Sequence, residues 1–253
     1  RFMAVIKSNA YGHGLVHIAK NLLALRSFSK GGWFGVDSIV EALRLRKEGI
    51  KNPILVLGYT LPSRLEEAVI HTIVLTVSSF DALKAAARLK QRPSIHIKID
   101  TGMHRQGFLP DQIPEVIHQL KRHHLKPEGV FTHFASAKDP TYPSYTLMQS
   151  ERFKKVAVEF QKAGFPSLIR HSAASGAALL FPDTHLDMVR VGMGMYGYWP
   201  SLESKIAFST LELPASPPGA GHAPGGSFQV PATKKHILLK PVLTWKTIIS
   251  EIK

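Results

Sequence analysis

The 253-residue chain has no cysteine, which excludes disulfides, thiolate nucleophiles and thiolate metal ligands and is compatible with the cytoplasm. It has no run of about 18 apolar residues, so no membrane-spanning helix is expected. The opening Arg1-Phe2-Met3 leads straight into an apolar run and does not build a signal peptide. Acidic residues are few: 18 Asp and Glu stand against 32 Lys and Arg, a formal net charge of +14. Such an excess raises nucleic acid or a membrane surface as a partner. The densest basic run, His118 to Lys126, falls at the end of a predicted helix, where cations complement the dipole. No aromatic residues interleave it to stack on bases. Neither nucleic acid nor membrane is therefore expected as a partner; a basic surface that draws in an anionic small molecule is compatible with the charge.

The chain alternates short apolar runs with helix-length stretches. Candidate strands are Ala4 to Lys7, Trp33 to Asp37, Ile54 to Gly58, Thr72 to Val77, Ser94 to Ile99, Gly129 to His133, Leu168 to His171 and Met188 to Val191. Apolar residues at three- and four-residue spacing predict helices over Leu15 to Leu25, Ile39 to Lys47, Phe80 to Leu89, Ile113 to His124 and Leu147 to Lys162. Ser38 and Ser79 stand where N-caps are wanted, and Gly49 and Gly164 close their helices. Eight strands separated by helices predict an α/β fold, a closed (β/α)8 TIM-like barrel over residues 1–200. An open doubly wound sheet would want G-x-G-x-x-G after its first strand, and none is there. Residues 201–236, rich in Pro, Gly and Ser, are expected to form a linker or long loop. Residues 237–253 are expected to begin a β-rich C-terminal domain that is cut off, since a lone strand cannot bury its own face. The start, without an initiator methionine, is likewise expected to be cut.

Barrel active sites form at the C-terminal ends of the strands. Lys7, Asp37, Lys98, His133, His171 and Arg190 all fall at or near those ends. A lysine at the mouth of an apolar pocket loses hydration, and its neutral amine becomes available to attack a carbonyl. On the fifth strand, alternation puts His96 and Lys98 on one face and the isoleucines on the other. Lys98, if inward, needs a partner, and Asp100 or a glutamate is the plain choice. Ser175 opens a short predicted helix whose free N–H groups suit an anion, with the Gly192 and Met193 backbone nearby. His13 and His17 are four apart, but no third ligand is placed with them, and no metal is expected.

The string Ala4-Val5-Ile6-Lys7-Ser8-Asn9-Ala10-Tyr11-Gly12-His13-Gly14 closely resembles the pyridoxal-phosphate lysine motif of alanine racemases. Asp100-Thr101-Gly102-Met103-His104-Arg105-Gln106-Gly107 resembles the D-T-G-M-x-R-x-G motif of the same family, and Val130 to Ala137, Arg170 to Ala177 and Asp187 to Gly197 continue the match in order. The resemblance implies that Lys7 holds pyridoxal 5′-phosphate covalently and acts as the base on the D side. It implies that Tyr11 and Ser175 bind the phosphate, with backbone help from Gly192 and Met193. Arg105 would serve the cofactor's phenolic oxygen and the substrate carboxylate. Lys98 matches a lysine carbamylated in many members, and a carbamate would accept the guanidinium well. His133 would hydrogen-bond the arginine over the cofactor ring, His171 would lie under the ring, and Arg190 would stand beside its nitrogen. An always-charged arginine there leaves the ring nitrogen unprotonated, which suits brief proton removal and return. The family often has Asn before the serine, and this chain has Ala174.

By this resemblance the chain is part of an isomerase, an alanine racemase that interconverts L- and D-alanine for peptidoglycan, cytoplasmic and homodimeric when full length. The opposite-face base of the family is a tyrosine of the partner's C-terminal domain. No residue here matches it, so the piece alone is expected to lack racemase activity. A racemase of another amino acid such as serine, a non-catalytic pyridoxal-phosphate barrel and a basic binding module stay open as readings.

Overall fold

The computed structural model describes residues 1–210 and 239–242. Runs of branched and aromatic residues form the strands β1 Phe2–Val5, β2 Trp33–Val36, β3 Ile54–Val56, β4 Val74–Val77, β5 Ile95–Lys98, β6 Gly129–Phe131, β7 Ile169–His171 and β8 Val189–Val191. Between them run α1 Lys7–Tyr11, α2 Leu15–Ala24, α3 Arg26–Ser29, α4 Ile39–Lys47, α5 Leu65–Ile70, α6 Phe80–Arg88, α7 Ile113–Arg122, α8 Ser144–Lys162 and α9 Ser175–Leu180, and α10 Leu202–Thr210 follows β8. All eight strands are parallel, paired in the order β7-β6-β5-β4-β3-β2-β1-β8. The seam between β7 and β8 is closed by two backbone bonds, Asp187 N–H to the Arg170 carbonyl and Arg190 N–H to the Ala173 carbonyl, each 3.0 Å. The result is the expected (β/α)8 barrel.

Most strands stop one or two residues before the apolar pattern does, because the chain leaves the ladder to build the C-terminal loops. Lys7 lies two residues beyond the end of β1 rather than on it. Ser38 and Ser79 cap α4 and α6, accepting from Glu41 N–H (3.4 Å) and Ala82 N–H (3.2 Å). Alternation sorts the strand side chains into two sets. Ile95, Ile97 and Ile99 join the apolar layer between sheet and helices, with Leu83, Val116, Val156 and Phe160. Met3, Trp33, Leu55, Val74, Ile169 and Met188 fill the barrel interior. Gly35 makes room there: a Cβ would lie 2.9 Å from the Met3 sulfur and 3.2 Å from Leu57.

Two segments differ from the sequence reading. The residues after Lys7, left without an element between the first predicted strand and the helix predicted from Leu15, make a left-handed turn: Ser8, Asn9, Ala10 and Tyr11 have φ of 54, 54, 56 and 55°. Side chains cost about 1–2 kcal/mol per residue in that region, so the surroundings must hold the turn. The Asn9 side-chain oxygen accepts from Leu15 N–H (2.9 Å), and Glu41 accepts from Asn9 N–H (3.0 Å) and Asp37 N–H (2.8 Å). Secondly, the expected linker 201–236 begins as helix α10, whose Phe208 packs against Trp199 and the α9 region. Composition averaged over the segment hid the apolar residues at its start. The rest of that segment and most of 237–253 lie outside the described residues. Val242 N–H donates to the Tyr196 carbonyl (3.1 Å), and a Cβ on Gly197 would collide with the Lys240 carbonyl.

Candidate active site

The C-terminal ends of the strands surround a cavity of about 650 Å³. Of the residues singled out from the sequence, Lys7, Tyr11, Asp37, Lys98, Arg105, His133, Ser175, Arg190, Gly192 and Met193 all line it. Five of its walls are cationic (Lys7, Lys98, Arg105, Lys138, Arg190), and Asp37 is the one carboxylate among the described lining residues. A larger hollow of about 780 Å³ at the opposite end, under α8 and β7, is lined by apolar and polar groups alike, Arg1, Lys154 and the Arg170–Asp187 ion pair among them.

Lys7 Nζ stands at the mouth, 3.4 Å from an Asp37 carboxylate oxygen. The left-handed turn swings Tyr11 across to the β8 loop. Its ring packs 5.2 Å from Tyr196, and its hydroxyl would lie 2.5 Å from a Cβ on Gly192, so only glycine fits beneath it. Burial raises the Tyr11 pKa, which keeps the phenol a hydrogen-bond donor. Ser175 Oγ accepts from Gly192 N–H (3.1 Å) and Gly194 N–H (3.3 Å). The Gly192 N–H, expected to serve an anion, thus meets the hydroxyl of another residue expected at the same anion. His13 stacks on Tyr196 at 4.7 Å and His17 meets Asn21.

Beneath this cluster the barrel interior is polar. Arg190, 3% exposed, donates to the Thr132 carbonyl (2.8 Å), the Ser172 carbonyl (2.9 Å) and His171 Nδ1 (2.8 Å), and lies 3.4 Å from His133 Nδ1. Burial pulls its pKa to about 9, so the guanidinium stays charged at neutral pH. Burial and the Arg190 charge hold the His133 pKa down to about 3 and that of His171 well below the usual imidazole range, so both rings are neutral. His171 is fully buried one layer below the cavity rather than on its wall. It stacks on Phe131 at 4.7 Å, and Phe131 also carries Lys98 Nζ (5.6 Å) and the Arg190 guanidinium (5.3 Å) over its face.

Lys98 does not pair with Asp100. Its amine donates to the Gln106 side-chain oxygen (3.0 Å), while Asp100 Oδ1 accepts from the N–H groups of Gly102, Met103 and His104 at 2.9, 2.9 and 3.0 Å. The carboxylate thus shapes the loop that presents Arg105 and has no reach left for the lysine. Burial first, then Arg105 and Arg190, lower the Lys98 pKa to about 8. Sequence reasoning left Phe131, Gln106 and Gln149 without roles. Gln149 is buried and ties Ala135 N–H (2.9 Å) and the His133 carbonyl (3.4 Å) to α8. Gln106 falls at a variable position of the quoted motif, and an apolar strand residue such as Phe131 carries no signal of its own.

With this geometry in place, comparison with known proteins is specific. Residues 1–200 match the family model described as alanine racemase, N-terminal domain. The chain is 41% identical over 219 residues to alanine racemase 1 of Oceanobacillus iheyensis, covering 84% of this chain and 57% of that protein. It is 37% identical over 260 residues to alanine racemase of Symbiobacterium thermophilum, covering 100% and 59%. Among solved structures, alanine racemase of Clostridium difficile 630 superposes with a TM-score of 0.73 at 36% identity, over 80% of this chain and 53% of that one. The Bacillus anthracis alanine racemase with bound L-Ala-P gives 0.74 at 33%, over 82% and 54%. The chain therefore spans between half and three fifths of the length of these relatives, and by its match along the whole barrel it belongs to the alanine racemase N-terminal domain family.

Proposed function

We propose that the protein to which this barrel belongs interconverts L- and D-alanine with pyridoxal 5′-phosphate, and that the barrel is its cofactor-binding part. The observation that carries the reading is the gathering, at one barrel mouth, of an amine, an anion cradle and a buried arginine. The residues fit that cofactor: Tyr11 and Ser175 each lie against Gly192, where any Cβ would block the approach, and the walls carry five cations against one carboxylate. When bound, the cofactor supplies an aldehyde carbon for the amine and a ring that takes up charge from the substrate Cα.

Lys7 Nζ is the group that anchors the aldehyde and moves the Cα proton on one face. Tyr11, Ser175, Gly192 and Met193 would hold the phosphate; the Tyr11 hydroxyl and the backbone would serve where Ala174 offers no polar side chain. Arg190 would stand at the ring nitrogen as a donor that keeps its proton, which would restrain charge uptake and favour return of the proton over loss of a substrate group. His133 and His171, both neutral, accept from Arg190 and hold its plane. Arg105 faces the substrate carboxylate. Lys98, with its pKa near 8, has enough free amine at neutral pH to bond carbon dioxide and release a proton. The resulting carbamate would turn toward Arg105. The opposite-face base comes from a partner subunit, so the working protein is a homodimer, cytoplasmic, supplying D-alanine for peptidoglycan.

The test uses the chain as it stands. Incubated with pyridoxal phosphate, reduced with borohydride and mapped by peptide mass, it is expected to carry the label on Lys7 Nζ, and Lys7→Ala is expected to lose it. Label confined to other lysines, or undiminished in Lys7→Ala, overturns the reading. In the whole protein Lys7→Ala is expected to lower kcat at least about a hundredfold.

A further inference from the structure

A polar chain continues below Arg190 into the barrel, to a residue that the proposed chemistry does not use. Arg190 NH1 lies 2.8 Å from His171 Nδ1, and His171 Nε2 lies 2.9 Å from His96 Nδ1. A guanidinium has donors and no acceptor, so the direction of the whole chain is set from its upper end. His171 must present a bare Nδ1, its proton must sit on Nε2, and that proton is donated to a bare Nδ1 of His96. His96 then carries its own proton on Nε2, for which the described residues offer no acceptor. A buried donor without a partner is a cost, so hydrogen bonding at that end does not explain the residue.

The slot around His96 is shaped to keep it. Gly129 is its neighbour in the ladder, and a Cβ there would lie 2.5 Å from the imidazole. The Trp33 ring packs at 5.5 Å, and His96 is fully buried. His171 is clamped flat on Phe131, with 6° between the planes, and cannot swing to another partner. Among the described residues His171 alone holds the NH1 side of Arg190, whereas the NH2 side has two carbonyls and His133.

We propose that His96 is a positioning residue that accepts the His171 Nε2 proton and thereby presets His171 as the acceptor that aims Arg190 into the site. Without an acceptor at position 96, the His171 Nε2 proton is orphaned in the interior. Moving it to Nδ1 sets a donor against a donor at Arg190. Either outcome loosens one edge of the guanidinium. The link from His96 to Arg190 stands on the geometry alone; only its consequence for the cofactor rests on the proposed function.

Two measurements test it. The first needs no cofactor: nitrogen chemical shifts of the histidine-labelled chain. Wild type is expected to show His171 and His96 neutral, each protonated on Nε2. His96→Leu is expected to change the His171 pattern, and His96→Asn, whose side-chain oxygen stands where Nδ1 stood, to restore it. A proton on His171 Nδ1 in wild type, or a His171 pattern indifferent to His96→Leu, overturns the proposal. The second is equilibrium binding of pyridoxal phosphate to the same proteins. His96→Leu is expected to bind about tenfold more weakly and His96→Asn within about threefold of wild type; equal affinity in all three overturns the proposal. If wild type takes up no cofactor, the proposed function fails, while the nitrogen shifts still decide the role of His96.

Discussion

Lys98 is 5% exposed; its amine bonds an amide oxygen and lies over an aromatic face, the Arg105 and Arg190 charges act against it, and Asp100 favours it only through its charge. Its pKa falls from 10.5 to about 8 on folding, so between those values the unfolded chain binds more protons than the native one. Stability therefore rises with pH across that window, and the penalty is fully present below pH 8. In buffer free of carbon dioxide, Lys98→Met is expected to stabilise the chain at pH 7 by about 1–3 kcal/mol, a gain that fades toward pH 10; urea titrations at both pH values check it. With labelled bicarbonate, a carbamate carbon resonance is expected in wild type and absent in Lys98→Met. Asp100 poses the opposite case. Burial raises its pKa, its three backbone bonds together lower it to below the usual carboxylate range, and Asp100→Ala is expected to slacken the loop that carries Arg105. The measurable result in the whole protein is a raised KM for alanine exceeding any loss in kcat.

Among the elements, the left-handed turn α1 departs most from what local preference dictates. Its four residues of positive φ, none of them glycine, together cost about 4–8 kcal/mol relative to ordinary backbone. Asn9, Glu41 and the buried Ala10 hold it against that cost. Ser8 is exposed and at φ 54°. Ser8→Gly is expected to raise stability by about 0.5–1 kcal/mol, since relief of the backbone outweighs the entropy of the unfolded glycine. Ser8→Val, branched at Cβ, is expected to lower it by more than about 1 kcal/mol. Thermal midpoints in the order Gly, wild type, Val check the point. The turn was illegible in the sequence because the usual sign of left-handed backbone is glycine, and glycine comes only at Gly12. The strands and helices were legible because their apolar spacing has the period of the structure it forms, as Ile95-His96-Ile97-Lys98 shows. Helix α10 was hidden by the Pro- and Gly-rich composition that follows it.

For the molecule as a whole, the interior histidines couple the site to acid stability. His96 and His133 have pKa values near 3 in the fold against 6.5 when unfolded, and His171 is shifted the same way. From pH 6.5 down to 3 the unfolded chain binds more protons, so stability is full above pH 6.5 and falls below it. Each ring removes about 1.4 kcal/mol per pH unit once the unfolded state is protonated. Urea midpoints are expected to drop steeply between pH 6 and pH 4, and His133→Asn to flatten that slope by about a third; a flat wild-type profile contradicts the neutral interior. The site residues were legible at this scale because barrel geometry collects strand ends, and Lys7, His133 and Arg190 lie far apart in sequence but at one mouth. Which of them touch was not legible: Lys98 turning to Gln106, and His171 sinking below the wall, depend on side-chain volumes that spacing does not encode. Finally, β1 pairs on one side with β2 and on the other with β8, Phe2 against Val189. The strand that leads to Lys7 finds its second neighbour only when almost the whole barrel has left the ribosome. On the proposed function, a nascent chain halted before that point is expected to carry a Lys7 no more reactive than any surface lysine, and capture of the vitamin would then signal that synthesis of the barrel is complete.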